Sequence, residues 1–176
     1  MEYVRDYAMY ASIFGMFSFC WFGWAQENPR ASWRKYLGIA SGIALLVCLL
    51  GVYLSITNWG AASALKERSS FTTYLILLYG EFFLGGVGAF FLIKRKLARY
   101  VAPWIAFIVG IHFIGLVHVF DDPALYLLAA LLVLIAVAAP FIAPKLQVAN
   151  SAITGIGVGT VLFGFALLGL IRFFTV

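Results

Sequence analysis

Apolar runs fill this chain almost from end to end, at roughly 8–25, 37–57, 72–93, 101–120, 123–142 and 151–174. Each is long enough, or nearly so, to cross about 30 Å of hydrocarbon as a helix. The runs are continuous and lack the in–out alternation of a lipid-facing barrel strand. Charged residues make up 11% of the 176 positions and hydrophobic ones 64%, with a mean hydropathy of +1.02. A soluble domain carries about 25% charged residues, and so short a chain folded in water would expose a large apolar area. The sequence therefore predicts an all-α integral membrane protein. It should be a compact bundle of about six transmembrane helices forming one transmembrane domain over 1–176, with no soluble domain.

Breaks between the runs fall at turn-forming residues: Asn28-Pro29, Asn58-Trp59-Gly60, Asp121-Asp122-Pro123 and Pro144. Pro140 is placed to end the fifth run early. The Met1-Glu2-Tyr3-Val4-Arg5-Asp6 segment lacks the basic start of a signal peptide. Phe19 before Cys20 also argues against lipoprotein processing, so the first run is expected to remain in the mature protein.

The net charge of +5 does not imply nucleic acid, because the basic residues sit in short clusters beside apolar runs and form no continuous surface. Such clusters suit lipid headgroups and topology control. Arg30, Arg34, Lys35, Lys94, Arg95, Lys96, Arg99 and Lys145 would share one side; Arg5, Lys66, Arg68 and Arg172 the other. Eight against four predicts the first side cytoplasmic and both termini outside, in the plasma or inner membrane. Trp21, Trp24 and Trp104 then fall near the inner boundary and Trp59 near the outer, where indoles prefer to lie. An inverted 3+3 arrangement is compatible with six spans, but the resemblance between the halves is no more than two apolar helices share by chance.

The residues that do not belong in lipid carry the functional information. Glu81 lies near the middle of the third run. A charge there costs about 2.5–3.5 kcal/mol, so the side chain should face the bundle, hold a proton or find a partner. Tyr74, Gly85 and Gly88 share its helical face. The turn between runs three and four centres near position 96.5, and Glu81 and His112 are equidistant from it. At 1.5 Å per residue, each would lie about 23 Å from the turn. A buried Glu–His pair at one depth would lower the cost of each and could share a proton. The same reckoning brings Cys48, Ser12 and Thr160 to within about 5 Å of that depth, as a candidate polar layer for ligand or proton binding.

His118 with Asp121 and Asp122 makes an outer-face cluster. An acid–base group or partial metal site is the sharper reading, and a solvated helix end the plainer and preferred one. Arg172 is expected to snorkel to the outer headgroups. Gly155 with Gly159, and Gly38 with Gly42, have the GxxxG spacing of close helix crossings. Trp21 to Pro29 ends in Gln26-Glu27-Asn28, read as a helix-terminating turn, with a gate or partner contact as the alternative.

Three functions compete. The first is a transporter, or a protein binding a small molecule or lipid, with Glu81 as protonatable centre and His112 as its modulator. Its partners would be the bilayer and a small hydrophobic or proton-coupled ligand. The second is an accessory or assembly subunit of a membrane complex, whose partner is another membrane protein; an isolated monomer or homodimer counts against it. An enzyme fits least: no CxxC, no HxxxH and no nucleophile–base motif occurs. No cofactor or metal is expected, and Cys20 and Cys48 read as inert packing. One haem cannot sit between His112 and His118, because six residues turn them 240° apart on one helix.

Overall fold

The computed structural model describes residues 3–176; Met1 and Glu2, the start of the segment weighed as a signal peptide, lie outside the described residues. Six α-helices account for most of the chain: α1 (Val4–Trp24), α2 (Arg34–Thr57), α3 (Arg68–Lys94), α4 (Val101–Phe120), α5 (Ala124–Leu146) and α6 (Asn150–Thr175). Single 3₁₀ turns precede α2, α3 and α4. Short connections force sequential helices to run up and down, so the helix ends collect at two poles. Five helices, α2 to α6, are long and apolar enough to cross a membrane, which makes the chain a multi-pass membrane protein.

The remaining helix, α1, is as long as the others but dilutes its apolar residues with Tyr7, Tyr10, Ser12, Ser18 and Gly15. Its position explains this composition. It packs between α2 and α6, and Tyr7, Ala8, Tyr10, Ala11, Phe14, Ser18, Trp21 and Phe22 are buried by protein. A helix face packed on other helices needs fit rather than lipid-like side chains. Across the α1–α6 seam, Ser18 Oγ donates to Gly159 O at 2.8 Å. Methyl groups at Gly155 and Gly169 would come to 2.5 Å and 2.9 Å from the carbonyls of Trp21 and Tyr7. Across α1–α2, a methyl at Gly51 would overlap the backbone of Ser12, and one at Gly15 would lie 2.8 Å from Cys48 N.

One of the two expected GxxxG faces is thus a seam and the other is not. Gly155 and Gly159 bring α6 onto α1, whereas Gly38 and Gly42 face open space and Gly51 makes the close approach of α2. Pro140 does not end the fifth helix, which continues through both prolines to Leu146. The helix stops at Gln147, where the backbone turns left-handed (φ 56°) and Val148 N–H bonds back to Ala143 O. Asn28, Lys96 and Asp121 close other turns with φ of 50°, 60° and 49°.

The two poles are tied by short contacts. At one, Arg30 Nε donates to Leu146 O, Ala149 N to Asn28 O, and Asn150 Nδ2 to Arg99 O. Gln26 and Glu27 stay local, bonding Arg34 O and the Trp24 indole, as a helix-terminating turn does. At the other, the Arg5 guanidinium lies 3.8 Å over the Trp59 ring, and Ala64 N donates to Asp6 Oδ2.

Candidate functional site

The helix that carries Glu81 is the least enclosed of the six. Along α3 only Gly85 is buried, and the helix rests on α4 and on the 3₁₀ turn at Ala64–Lys66 while standing off α1. The α3–α4 pairing follows mirror order about their turn. Leu77 fills the space left by Gly115, Ile105 closes on Gly85, and the Trp104 indole lies over Gly88 while its Nε1 donates to Leu84 O at 3.2 Å. The small residues on the Glu81 face are therefore what admits α4.

At the middle of this hairpin, His112 Nδ1 lies 3.3 Å from Glu81 Oε2 and 3.2 Å from Leu77 O. A proton on Nδ1 serves both acceptors. The two side chains are 20% (Glu81) and 7% (His112) exposed, and among the described residues no Lys or Arg lies within 4 Å of Glu81. A carboxyl paired with an imidazole rather than with a Lys or Arg can gain or lose a proton without breaking a fixed ion pair.

Because α3 stands off α1, a cleft runs between them with α4 as its floor. One chamber, of about 110 Å³, is lined by Tyr10, Phe14, Tyr74, Glu81, His112 and Phe113 among others, with Asp6 at the pole nearer both termini. A second, of about 380 Å³, continues past Glu81 between Cys20, Trp24, Gly86 and Ile105. Phe17, Trp21, Glu81, Phe82 and Val109 line both, so Glu81 occupies the waist. Aromatic rings dominate the wall: Phe14 meets Tyr10 at 4.9 Å and Phe113 at 5.7 Å, and Trp21 stacks on Trp24 at 5.2 Å. Beyond Phe120 a polar recess of about 430 Å³ opens between Tyr3, Ser63, Glu67 and Asp121.

Of the expected polar layer, Glu81, His112 and Tyr74 meet in the cleft, with the Tyr74 ring 6.4 Å from Phe120. Ser12, Cys48 and Thr160 line neither chamber. Ser12 and Cys48 sit on the α1–α2 seam, a different face of α1, where Ser12 Oγ donates to Met9 O. Thr160 points outward from α6. Counting residues from the turns gives a depth along the axis and no rotation about it.

The outer cluster divides as well. His118 and Asp121 are exposed, but Asp122 turns inward to 4% exposure. Its Oδ2 accepts from Arg172 Nη1 at 2.6 Å, and its Oδ1 accepts from Ala124 N as a cap on α5. Arg172 is thus the ion-pair partner of Asp122, with its own side chain 28% exposed. Among the described residues, no three of His, Cys, Asp and Glu converge on a metal position.

Asp6 and Tyr10 are lining residues that the sequence reading passed over. The available signal was the aromatic stripe Tyr10, Phe14, Phe17, Trp21 and Trp24, at three- and four-residue spacing. What fold and site define is a multi-pass helical membrane protein with an acid–histidine pair in an apolar cleft. The chain matches no family model, and no curated protein or solved structure is significantly similar to it.

Proposed function

We propose that this protein spans the cell membrane six times with both termini outside, and binds a small hydrophobic ligand in the α1–α3–α4 cleft. Glu81, modulated by His112, is the protonatable centre that links the ligand to a proton and makes transport possible. The observation that carries this reading is Glu81 at the waist of an apolar cleft, with the His112 imidazole at 3.3 Å and, among the described residues, no Lys or Arg within 4 Å. The other titratable groups facing the cleft are Asp6 and Tyr10 from α1, Tyr74 from α3 and Cys20 below the waist. The pole with Arg30, Arg34, Lys35, Lys94, Arg95, Lys96, Arg99 and Lys145 carries one acid, Glu27, which supports a cytoplasmic placement.

Purified protein in proteoliposomes, screened against small hydrophobic solutes with and without a pH gradient, tests the reading. Glu81→Gln should fold and insert as the parent does and lose proton-linked uptake or binding. Full activity in Glu81→Gln with an unchanged pH profile would remove the proposal.

The outward face of α3 favours a second reading, an accessory subunit. Ile76, Tyr79, Phe83, Phe90 and Ile93 are all more than half exposed, and no other helix of this chain covers them. Such a face suits either lipid or a partner helix. A stable complex with another membrane protein in mild detergent would favour the subunit; an isolated monomer or homodimer would favour the ligand-binding protein.

A further inference from the structure

The end of the cleft away from the waist holds polar groups that the Glu81–His112 pair does not use. Asp6 is 1% exposed. Its Oδ2 accepts the Ala64 N–H and so anchors the α2–α3 connection, but Oδ1 has no hydrogen-bond partner. Four residues on, the buried Tyr10 hydroxyl lies beside the Asp122 carboxylate, which can take its proton in a hydrogen bond and leave the hydroxyl oxygen free to accept one. Both side chains line the same chamber as Glu81. Buried polar groups in native proteins are satisfied as a rule, and exceptions call for a cause.

Charge points to the kind of ligand. Asp122 is neutralised by Arg172. The Arg5 guanidinium is held over Trp59 and donates to Trp59 O. Among the described residues, no Lys or Arg lies within 4 Å of the Asp6 carboxylate, which leaves Oδ1 open to a cationic group of a ligand. An ammonium has three donors and no acceptor, which matches the open Asp6 Oδ1 and the accepting side of the Tyr10 hydroxyl better than a hydroxyl or a carboxylate would.

The geometry points to a headgroup subsite for an amine-bearing amphiphile, formed by Asp6 Oδ1 and Tyr10 Oη. The ammonium donates to these oxygens, and the apolar tail follows the rings of Phe14 and Phe17 toward the waist. Tyr10 and Tyr74 both pack on Phe120 and so share a depth. From that level Asp6 lies four residues toward the pole and Glu81 seven residues the other way, which separates them by about 16 Å along the axis. The ligand is therefore elongated, with its cationic head at Asp6 and its tail end between Glu81 and Trp21. This inference rests on the cleft being a ligand site, and adds the ligand's class and its direction.

Dodecylamine with a terminal bromine tests it, because bromine at the tail end quenches Trp21 only when the head lies at the Asp6 end. Protein in lipid nanodiscs is titrated with this amine and with the corresponding bromododecanoic acid. The quenching that disappears in Trp21→Phe is the Trp21 signal. Saturable quenching by the amine, weak or absent with the acid, is expected. Asp6→Asn keeps an oxygen for Ala64 N–H and should weaken amine binding about tenfold or more, as loss of a charge-assisted hydrogen bond does. Tyr10→Phe should weaken it less.

Unchanged amine affinity in Asp6→Asn overturns the headgroup assignment; if that variant does not fold, unchanged affinity in Tyr10→Phe does so. Acid binding as tightly as amine overturns the cationic class and leaves the cleft as a ligand site. No Trp21 quenching by either probe overturns both this inference and the cleft reading. Amine binding lost in Asp6→Asn but proton-independent and unchanged in Glu81→Gln supports the headgroup subsite and removes Glu81 as the centre.

Discussion

Two carboxyl pairs show how differently a membrane protein can treat a buried acid. Asp122 is held by a fixed cation, the Arg172 guanidinium at 2.6 Å. Glu81 has a histidine, whose own charge depends on its proton. Removing the first cation should therefore act on stability. Arg172→Met leaves Asp122 buried without its counter-ion, and because Arg172 is partly exposed the loss should be about 2 kcal/mol rather than the full cost of a broken buried pair. The Arg172→Met/Asp122→Asn double variant should recover part of it, as read by thermal melting in detergent. Glu81→Gln should leave the melting temperature nearly unchanged, since an amide can still accept from His112 Nδ1. Glu81 was legible in the sequence because an acid in an apolar run has few explanations. Its partner was legible because a helix hairpin fixes depth. The Asp122–Arg172 pair was not, since residues fifty apart in sequence meet only once helix order around the bundle is known.

At the scale of the helix, periodicity and turn chemistry located the six elements but left their sides undetermined. Residue counting puts Ser12 and Cys48 near the depth of Glu81, yet they sit on the α1–α2 seam, and Gly38 and Gly42 have crossing spacing yet cross nothing in this chain. Pro140 failed as a stop signal because a proline in a long apolar helix can be accommodated by its neighbours. The glycines give a matched test. Gly51→Ala drives a methyl into the Ser12 backbone and should cost about 1–3 kcal/mol, the range of overpacked cores. Gly42→Ala meets nothing within 4 Å and should be neutral or stabilising by up to about 1 kcal/mol, from helix propensity alone. Melting curves of the two variants in one detergent compare them directly. Equal destabilisation would mean that α1 and α2 do not meet at Gly51.

For the whole molecule, the charge difference between the poles makes orientation testable. With Cys20 and Cys48 replaced, a cysteine at Lys66 should react with an impermeant maleimide added to intact cells, and one at Lys96 should react only after permeabilisation. The reverse pattern would invert the bundle. The cleft's location also belongs to this scale: α1, α3 and α4 bound it because α4 is the one long helix on which α3 leans, an arrangement no local pattern encodes. Whether Glu81 titrates in contact with His112 decides the function proposed for the cleft. Infrared difference spectra of the protein in lipid, recorded across a pH series, measure this without knowledge of the ligand. A carboxylic-acid carbonyl band that comes and goes with pH, is missing in Glu81→Gln and shifts its midpoint in His112→Gln is the predicted result. Spectra identical in the parent protein and Glu81→Gln across that series would contradict it.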